Sequence, residues 1–375
     1  MEDFTTDQIR NFRLRSHHLD REYAKTDAIY LAEACGFQNS PPGAWEAALF
    51  HRIPTLLQED ADRFLYEEKS LLQAWSFRGV PVVFPTAAKD IFLSALVPEE
   101  GEKWIYTDGI GLALDFLQMD FDQVLQLLLQ VIPRLEEVVL ESKNTLDQTL
   151  ARWICPLRPC SFLGLVVFGR RNGIYPTFTS LKSWVEASSQ PGTAVPQKEA
   201  VQKLVRKYLH CYGPSTPSHM AAWLGCTPRQ ARRMWDTVAD ELESAKILGK
   251  KAFFLASDRQ ALESPAPLKR NLVLIDAHDP FLEQRDRQIL QPEKSFHRRI
   301  WRTVANPGAI LYRGEVIGIW NAKKQKNGLD FVIELWKIPD HSGETEASLE
   351  RKLSQQAEAY AAFRKQKVGS VGLKT

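Results

Sequence analysis

Between Lys198 and Ser257 the apolar residues change period in an order that predicts a fold. In KEAVQKLVRKYLHCYG, Val201, Leu204, Val205, Tyr208 and Leu209 recur at helical spacing, and Gly213 stops the run. STPSHMAAWLGC and TPRQARRMWDTVADEL follow. Each contains a Thr-Pro pair, which supplies a cap and a rigid first turn, and Gly225 ends the first of them. Two short helices joined by about three residues, the second rich in arginine, form the helix-turn-helix pattern. SAKILGKKAFFLAS then reads as two short strands around Gly249-Lys250-Lys251, a hairpin with a basic tip. Three helices and such a hairpin make a winged-helix module.

The same order recurs upstream. TTDQIRNFRLRSHHL, TDAIYLAEACGF and SPPGAWEAALFHRI predict three helices, and SFRGVPVVFPTAAKDIF predicts a strand pair at Gly79, Val80 and Val82. DFDQVLQLLLQVIPRLEEVVL and SKNTLDQTLARWI predict two more helices, followed by the hairpin GLVVFGRRNGIYPTFTSLKSW with Arg170-Arg171-Asn172-Gly173 at its tip. A helix-rich unit and a hairpin thus recur three times at a spacing of roughly 85–100 residues. The last hundred or so residues read differently: RNLVLIDAHDPFL, GAILYRGEVIGIWNA and LDFVIELWKI are strand-like, with turns at Gly314 and Lys326-Asn327-Gly328. They predict a small β-barrel, a final helix in ASLERKLSQQAEAYAAFRKQK and a mobile KVGSVGLKT tail. The expected fold is mainly α with small β: winged helices at 1–98, 99–190 and 196–262, a barrel at 263–341, and a terminal helix and tail at 342–375.

Composition narrows this little. An apolar content of 44%, a charged content of 25% and a net charge of +2 are ordinary for a globular chain of 375 residues. Local patches, not the sum of charges, decide whether nucleic acid binds. No apolar run approaches the ~20 residues that span a bilayer, and MEDFTTDQ is no signal peptide, so no membrane partner is expected. Cys35, Cys155, Cys160, Cys211 and Cys226 form no CxxC pair. An odd number of thiols without a signal peptide points to a reduced, cytoplasmic protein.

Candidate chemistry centres on Gln38-Asn39-Ser40, between two apolar runs. In one reading Ser40 caps the helix that Pro41 opens, which then carries Ala44, Ala47, Ala48 and His51 on one face. In the other, the triplet holds a catalytic group at the tip of a helix. Basic candidates for phosphate or base contact are Arg229, Arg232 and Arg233 on the arginine-rich helix, the hairpin tips Arg170-Arg171 and Lys250-Lys251, and Arg298 and Arg299 in EKSFHRRIWR. Each cluster also has a plainer reading as a solvated face. His17-His18 is not read as a metal pair, because adjacent residues leave a helix in different directions. His278, between Asp276 and Asp279, is read as a surface or interface residue, and Asp279 before Pro280 as a turn cap. No metal or cofactor set is expected.

Several passages together resemble the AlkZ/YcaQ-like winged-helix DNA glycosylases: RLRSHHL, CGFQ, the Arg-Gly of SFRGV, LVRKYLHCYGPSTPSHMAAWLG, DPFLEQRDRQIL and GEVIGIW, in the family's order over nearly the whole chain. The resemblance implies three tandem winged helices and a small β-barrel around a concave DNA-binding surface. It also implies a catalytic Gln-x-Gln or Gln-x-Asp triplet. Gln38 matches its first position, whereas Ser40 departs from its second. The family's Arg-Gly-Thr-x-His segment is also altered, since Arg78-Gly79-Val80-Pro81-Val82 lacks the histidine. The implied activity is monofunctional excision of alkylated, cationic purines from double-stranded DNA in base-excision repair by a bacterial-type monomer. Gln38, with Ser40 and Asn39, would lie near the attacking water. The rival is a non-catalytic winged-helix DNA-binding protein, a regulator or lesion binder, whose altered triplet marks lost chemistry. A protein-interaction scaffold is a third reading.

Overall fold

The computed structural model describes residues 2–105, 118–120, 123, 126, 130, 158–173, 175–326, 328–337 and 343–374. The chain divides into two compact units, one of Met1–Ala61, Leu209–Thr216 and Glu241–Thr375, the other of Asp62–Tyr208 and Pro217–Asp240. The segment 196–262 contributes to both. The strands are β1 (Glu2–Asp3), β2 (Phe37–Gln38), β3 (Leu71–Trp75), β4 (Pro81–Pro85), β5 (Val166–Phe168), β6 (Phe178–Ser180) and β7 (Leu242–Ile247). They continue as β8 (Lys250–Leu255), β9 (Leu272–Ile275), β10 (Gly308–Tyr312), β11 (Glu315–Gln325), β12 (Gly328–Leu335) and β13 (Val368–Lys374). Thirteen strands among the described residues make the protein mixed α/β and correct the expectation of a mainly helical chain.

In the first unit the helix Thr6–Ser16 begins at a capping box, in which Thr5 Oγ1 accepts the Gln8 N–H at 3.2 Å and Gln8 Oε1 accepts the Thr5 N–H at 2.9 Å. Its apolar residues serve two cores. Ile9 and Phe12 pack with Phe4, Ala245, Ile247 and Phe254 beneath β7 and β8, whereas Leu14 packs with Val273, Ile275, Phe281 and Leu311. β1 lies parallel to β7, and β7 antiparallel to β8, as the basic-tipped hairpin predicts.

The expected C-terminal barrel is not formed. β9 to β13 make an open sheet in the order β13-β12-β11-β10-β9, in which β12 and β13 run parallel and the other pairs antiparallel. Alternation along a strand reveals its buried face but not whether the outer strands meet. Here the helix Glu346–Phe363 carries the chain round so that the next strand enters beside β12 and not beside β9. The segment expected to be a mobile tail is therefore β13. Gly369 allows a close approach there: a Cβ at this position would sit 2.4 Å from Asp330 Oδ1.

The second unit contains the antiparallel hairpins β3–β4 and β5–β6, joined through Trp75, whose ring lies 4.5 Å from Phe168 and 5.1 Å from Phe178. The helices expected from DFDQVLQLLLQVIPRLEEVVL and SKNTLDQTLARWI lie almost entirely outside the described residues. The helices Pro217–Leu224 and Pro228–Asp236 form as the Thr-Pro pairs predict. Thr227 and Gln230 close a capping box, and Phe77 stacks on Trp223 at 4.5 Å. Arg78 takes a left-handed φ of 57° and donates Nη1 to Trp223 O at 3.3 Å.

Two buried arginines organise the first unit. Arg13 and Arg52 are each 1% exposed. Arg13 donates to Gly213 O at 3.0 Å, Pro214 O at 2.9 Å and Gln284 Oε1 at 2.6 Å, and grips both Asp286 oxygens at 2.8 Å. Arg52 donates to His17 O, to Ala48 O and to Asp279 Oδ2, all at 2.7 Å, and to Asp279 Oδ1 at 3.1 Å. Asp279 also accepts the Phe281 N–H at 3.0 Å, so it caps its turn as expected. Burial disfavours its charge, but the Arg52 charge and these hydrogen bonds outweigh that effect and lower its pKa. Asp279→Ala, which strands the Arg52 charge, is expected to cost about 3–5 kcal/mol in denaturant unfolding, and the double variant Arg52→Met/Asp279→Leu much less. An Asp279→Ala protein as stable as the parent would show that the pair does not hold this unit together.

Candidate active site

The triplet sits on a short excursion between the helices Ala28–Glu33 and Ala44–Phe50. Phe37 is buried with its ring centre 5.0 Å from the Arg52 guanidinium, which anchors β2 to the unit's ion-pair core. Gln38, next along β2, is half-buried and turns its Nε2 to donate to Ser40 O at 2.9 Å. Asn39 is 8% exposed, and its Oδ1 accepts the Gly43 N–H at 2.7 Å. Ser40 is half-buried and is followed by a cis bond to Pro41.

Ser40 is not the helix cap. The helix begins at Ala44, and its cap residue is Gly43, with a left-handed φ of 89° and no side-chain cap bond. The reason is local: Asn39 Oδ1 already takes the Gly43 N–H, and glycine supplies the backbone angle that the turn needs. The Ser-Pro signal is thus spent on the turn before the helix.

A contact from far along the chain holds this turn. Arg364, just after the helix Glu346–Phe363, donates Nη2 to Gly43 O at 3.2 Å across 321 residues of sequence and pairs with Glu46 at 3.7 Å. Its Nε donates to Tyr360 Oη at 3.2 Å, and Tyr360 in turn donates to Asp276 Oδ2 at 3.1 Å. The His51 ring stacks on Tyr360 at 5.7 Å with an interplanar angle of 5°. Nothing in the local pattern around Arg364 marks it as a partner of the triplet's turn.

Two buried histidines of this unit are not poised for proton transfer. Burial pushes His51 down to about 3, and burial with the Arg52 charge pushes His18 down to about 3, so both are neutral in the native state. The triplet itself offers carboxamides and a hydroxyl, which orient water through hydrogen bonds and do not take its proton.

The basic candidates sort by their partners. Arg233 is tied to Glu99 at 2.9 Å and Glu102 at 2.8 Å, and Arg232 to Asp236 at 2.9 Å. Arg170 lies 4.4 Å over the Tyr66 ring and bonds Asp62 at 3.3 Å, and Arg171 is exposed beside it. Arg299 pairs with Glu334 and lies over Phe296 and Trp336, and Lys251 lies over Phe253. Arg229, Lys250 and Arg298 are exposed and make no ion pair among the described residues.

The family model "DNA glycosylase AlkZ-like" matches residues 31–363. The Interstrand DNA cross-link repair glycosylase of Streptomyces sahachiroi is 23% identical over 358 residues, covering 91% of this chain and 94% of that protein. The solved structure of the Streptomyces sahachiroi DNA glycosylase AlkZ superposes with a TM-score of 0.76 at 19% identity over 100% of both chains. A family match over residues 31–363 defines the class as a DNA glycosylase. The protein belongs to the AlkZ-like DNA glycosylase family.

Three outcomes follow. A histidine whose pKa is depressed on folding binds a proton more readily when unfolded, so stability falls as pH drops from about 6.5 towards 3. His51→Gln is expected to flatten that part of the stability curve, measured by chemical denaturation across this window. Arg229→Ala is expected to reduce the salt slope of duplex binding by about one. Arg233→Ala should instead lower the melting temperature and leave that slope unchanged, because its charge is already spent on Glu99 and Glu102.

Proposed function

We propose that this glycosylase removes N-alkylated, cationic purines from double-stranded DNA by hydrolysis of the N-glycosidic bond. Water attacks C1′ of the deoxyribose, the C1′–N bond breaks, its electron pair leaves with the base, and the proton of the water passes to solvent. The base departs neutral and the strand keeps an abasic site. A cationic leaving group needs no protonation, so a site without an acid or base of suitable pKa suffices. Gln38 and Ser40 orient the water, and Asn39 keeps the turn in shape. The observation that carries this reading is the half-buried Gln38, held by its bond to Ser40 O on a turn clamped from both sides.

The name of the Streptomyces relative supports a reading in which the substrate class includes interstrand cross-links. A cross-link through two alkylated purines presents the same cationic leaving group twice, and hydrolysis at one of them frees one strand. The protein acts as a cytoplasmic monomer in this reading, with Arg229, Lys250 and Arg298 as phosphate contacts. No helix among the described residues is long and apolar enough to cross a membrane.

Release of base from duplexes carrying an N7-alkylguanine, an N3-alkyladenine or a bis-alkyl cross-link tests the proposal. Gln38→Ala is expected to abolish release while duplex affinity stays near that of the parent. Ser40→Asp, which restores a carboxylate at the second family position, should raise the rate. Ser40→Ala should slow release without lowering the melting temperature, since Gly43 and not Ser40 is the cap residue. A protein that binds duplex yet releases no base from any of these substrates would support the non-catalytic reading instead.

A further inference from the structure

The two adjacent histidines near the start of the chain do not act together, but one of them faces two cysteines. A ring nitrogen of His17 and the sulfurs of Cys35 and Cys211 all lie within 4.8 Å of one another, and the three residues are 2%, 4% and 0% exposed. His17 Nδ1 lies 2.9 Å from Arg13 O, which fixes that nitrogen as the N–H donor. The lone pair then resides on Nε2, which is buried and makes no hydrogen bond. A buried, unpaired imidazole nitrogen costs free energy unless something fills its acceptor site.

We propose that His17, Cys35 and Cys211 form a binding site for a zinc ion, independent of the glycosylase site and of its proposed substrate. Two sulfurs and one imidazole are the donors that zinc selects, and a backbone carbonyl holding the other ring nitrogen is the usual support of a zinc-bound histidine. Zn–S bonds of about 2.3 Å and a Zn–N bond of about 2.0 Å place ligand atoms roughly 3.5–3.8 Å apart, so closing the cluster on the ion takes shifts of about 1 Å at most. Two thiolates neutralise the dication, which suits a buried site whose neighbour, Arg52, is already balanced by Asp279. The cluster leaves the fourth position to a water or a carbonyl oxygen, and Ser16 O, 3.8 Å from the Cys211 sulfur, stands beside it.

The ion would join the end of the first helix, the residue before Gly36 and the triplet strand, and the segment Leu209–Thr216. It would pin the base of the excursion that carries Gln38.

The test uses the full chain, expressed in medium supplemented with Zn2+ or with Co2+ and purified under reductant. One ion per chain by elemental analysis, and thiolate-to-cobalt charge-transfer absorption in the cobalt form, are expected. Cys35→Ser and Cys211→Ser should each lose the ion, whereas Cys226→Ser, which is outside the cluster, should keep it. Chelation of zinc from the parent should lower its melting temperature. Parent protein that holds no ion, even after unfolding and refolding with Zn2+, would overturn the site. So would a cobalt spectrum without thiolate absorption, or an ion retained by the Cys35→Ser/Cys211→Ser double variant. The cobalt spectrum of the parent decides the matter even where a cysteine variant fails to fold.

Discussion

Arg52 has no path to water, and that constraint shapes the unit that carries the triplet. A guanidinium sealed from solvent must be neutralised and hydrogen-bonded in place, or the fold does not form. Its donors reach Ala48 O, four residues back, and from two distant stretches of chain His17 O and both oxygens of Asp279. Arg13 repeats the device with the Gly213–Pro214 backbone, Gln284 and Asp286. The segments RLRSHHL, LHCYGP and DPFLEQRD are thus parts of one electrostatic assembly. Phe37 lies against the same guanidinium, so the position of Gln38 follows from the pair.

What could be read from the residues was what local chemistry dictates. The helix start at Thr227, the hairpin turn at Gly249 and the cap at Asp279 depend on neighbours within a few positions, and their sequence signals name them, although Lys250 and Lys251, read as the hairpin tip, open β8. The errors share another cause. A strand's period shows which side chains face inward, yet says nothing of which strand lies beside it, so an open sheet passed for a barrel and β13 for a tail. Ser40-Pro41 carries the residues of a helix start, but Asn39 and Gly43 settle the turn differently. Gln38 is a candidate through its resemblance to a family pattern, whereas Arg364, which holds the triplet's turn, has no local signature at all.

The site's chemistry follows from what burial has removed. His18 and His51 are held neutral, and the triplet carries no ionisable side chain. In the proposed reaction such a turn would position a nucleophile through hydrogen bonds, and would contribute little where the leaving group must first be protonated. In that reading the limitation would also act as a filter. Undamaged purines are neutral leaving groups and would stay attached, while a base already bearing a positive charge departs readily.

The parallel pairing of β13 with β12, and of β1 with β7, has a consequence for synthesis. Strands laid side by side in this way draw the first unit from residues near 2, near 240 and near 370, whereas the second unit uses only residues 62–240. On the ribosome the second unit therefore has its whole sequence first, and the first unit waits with β12 unpaired along one edge until residues 368–374 emerge. An unpaired edge is a template for other chains. The interval between the emergence of β12 and that of β13 is thus the stage at which a nascent copy is most exposed to pairing with a neighbour.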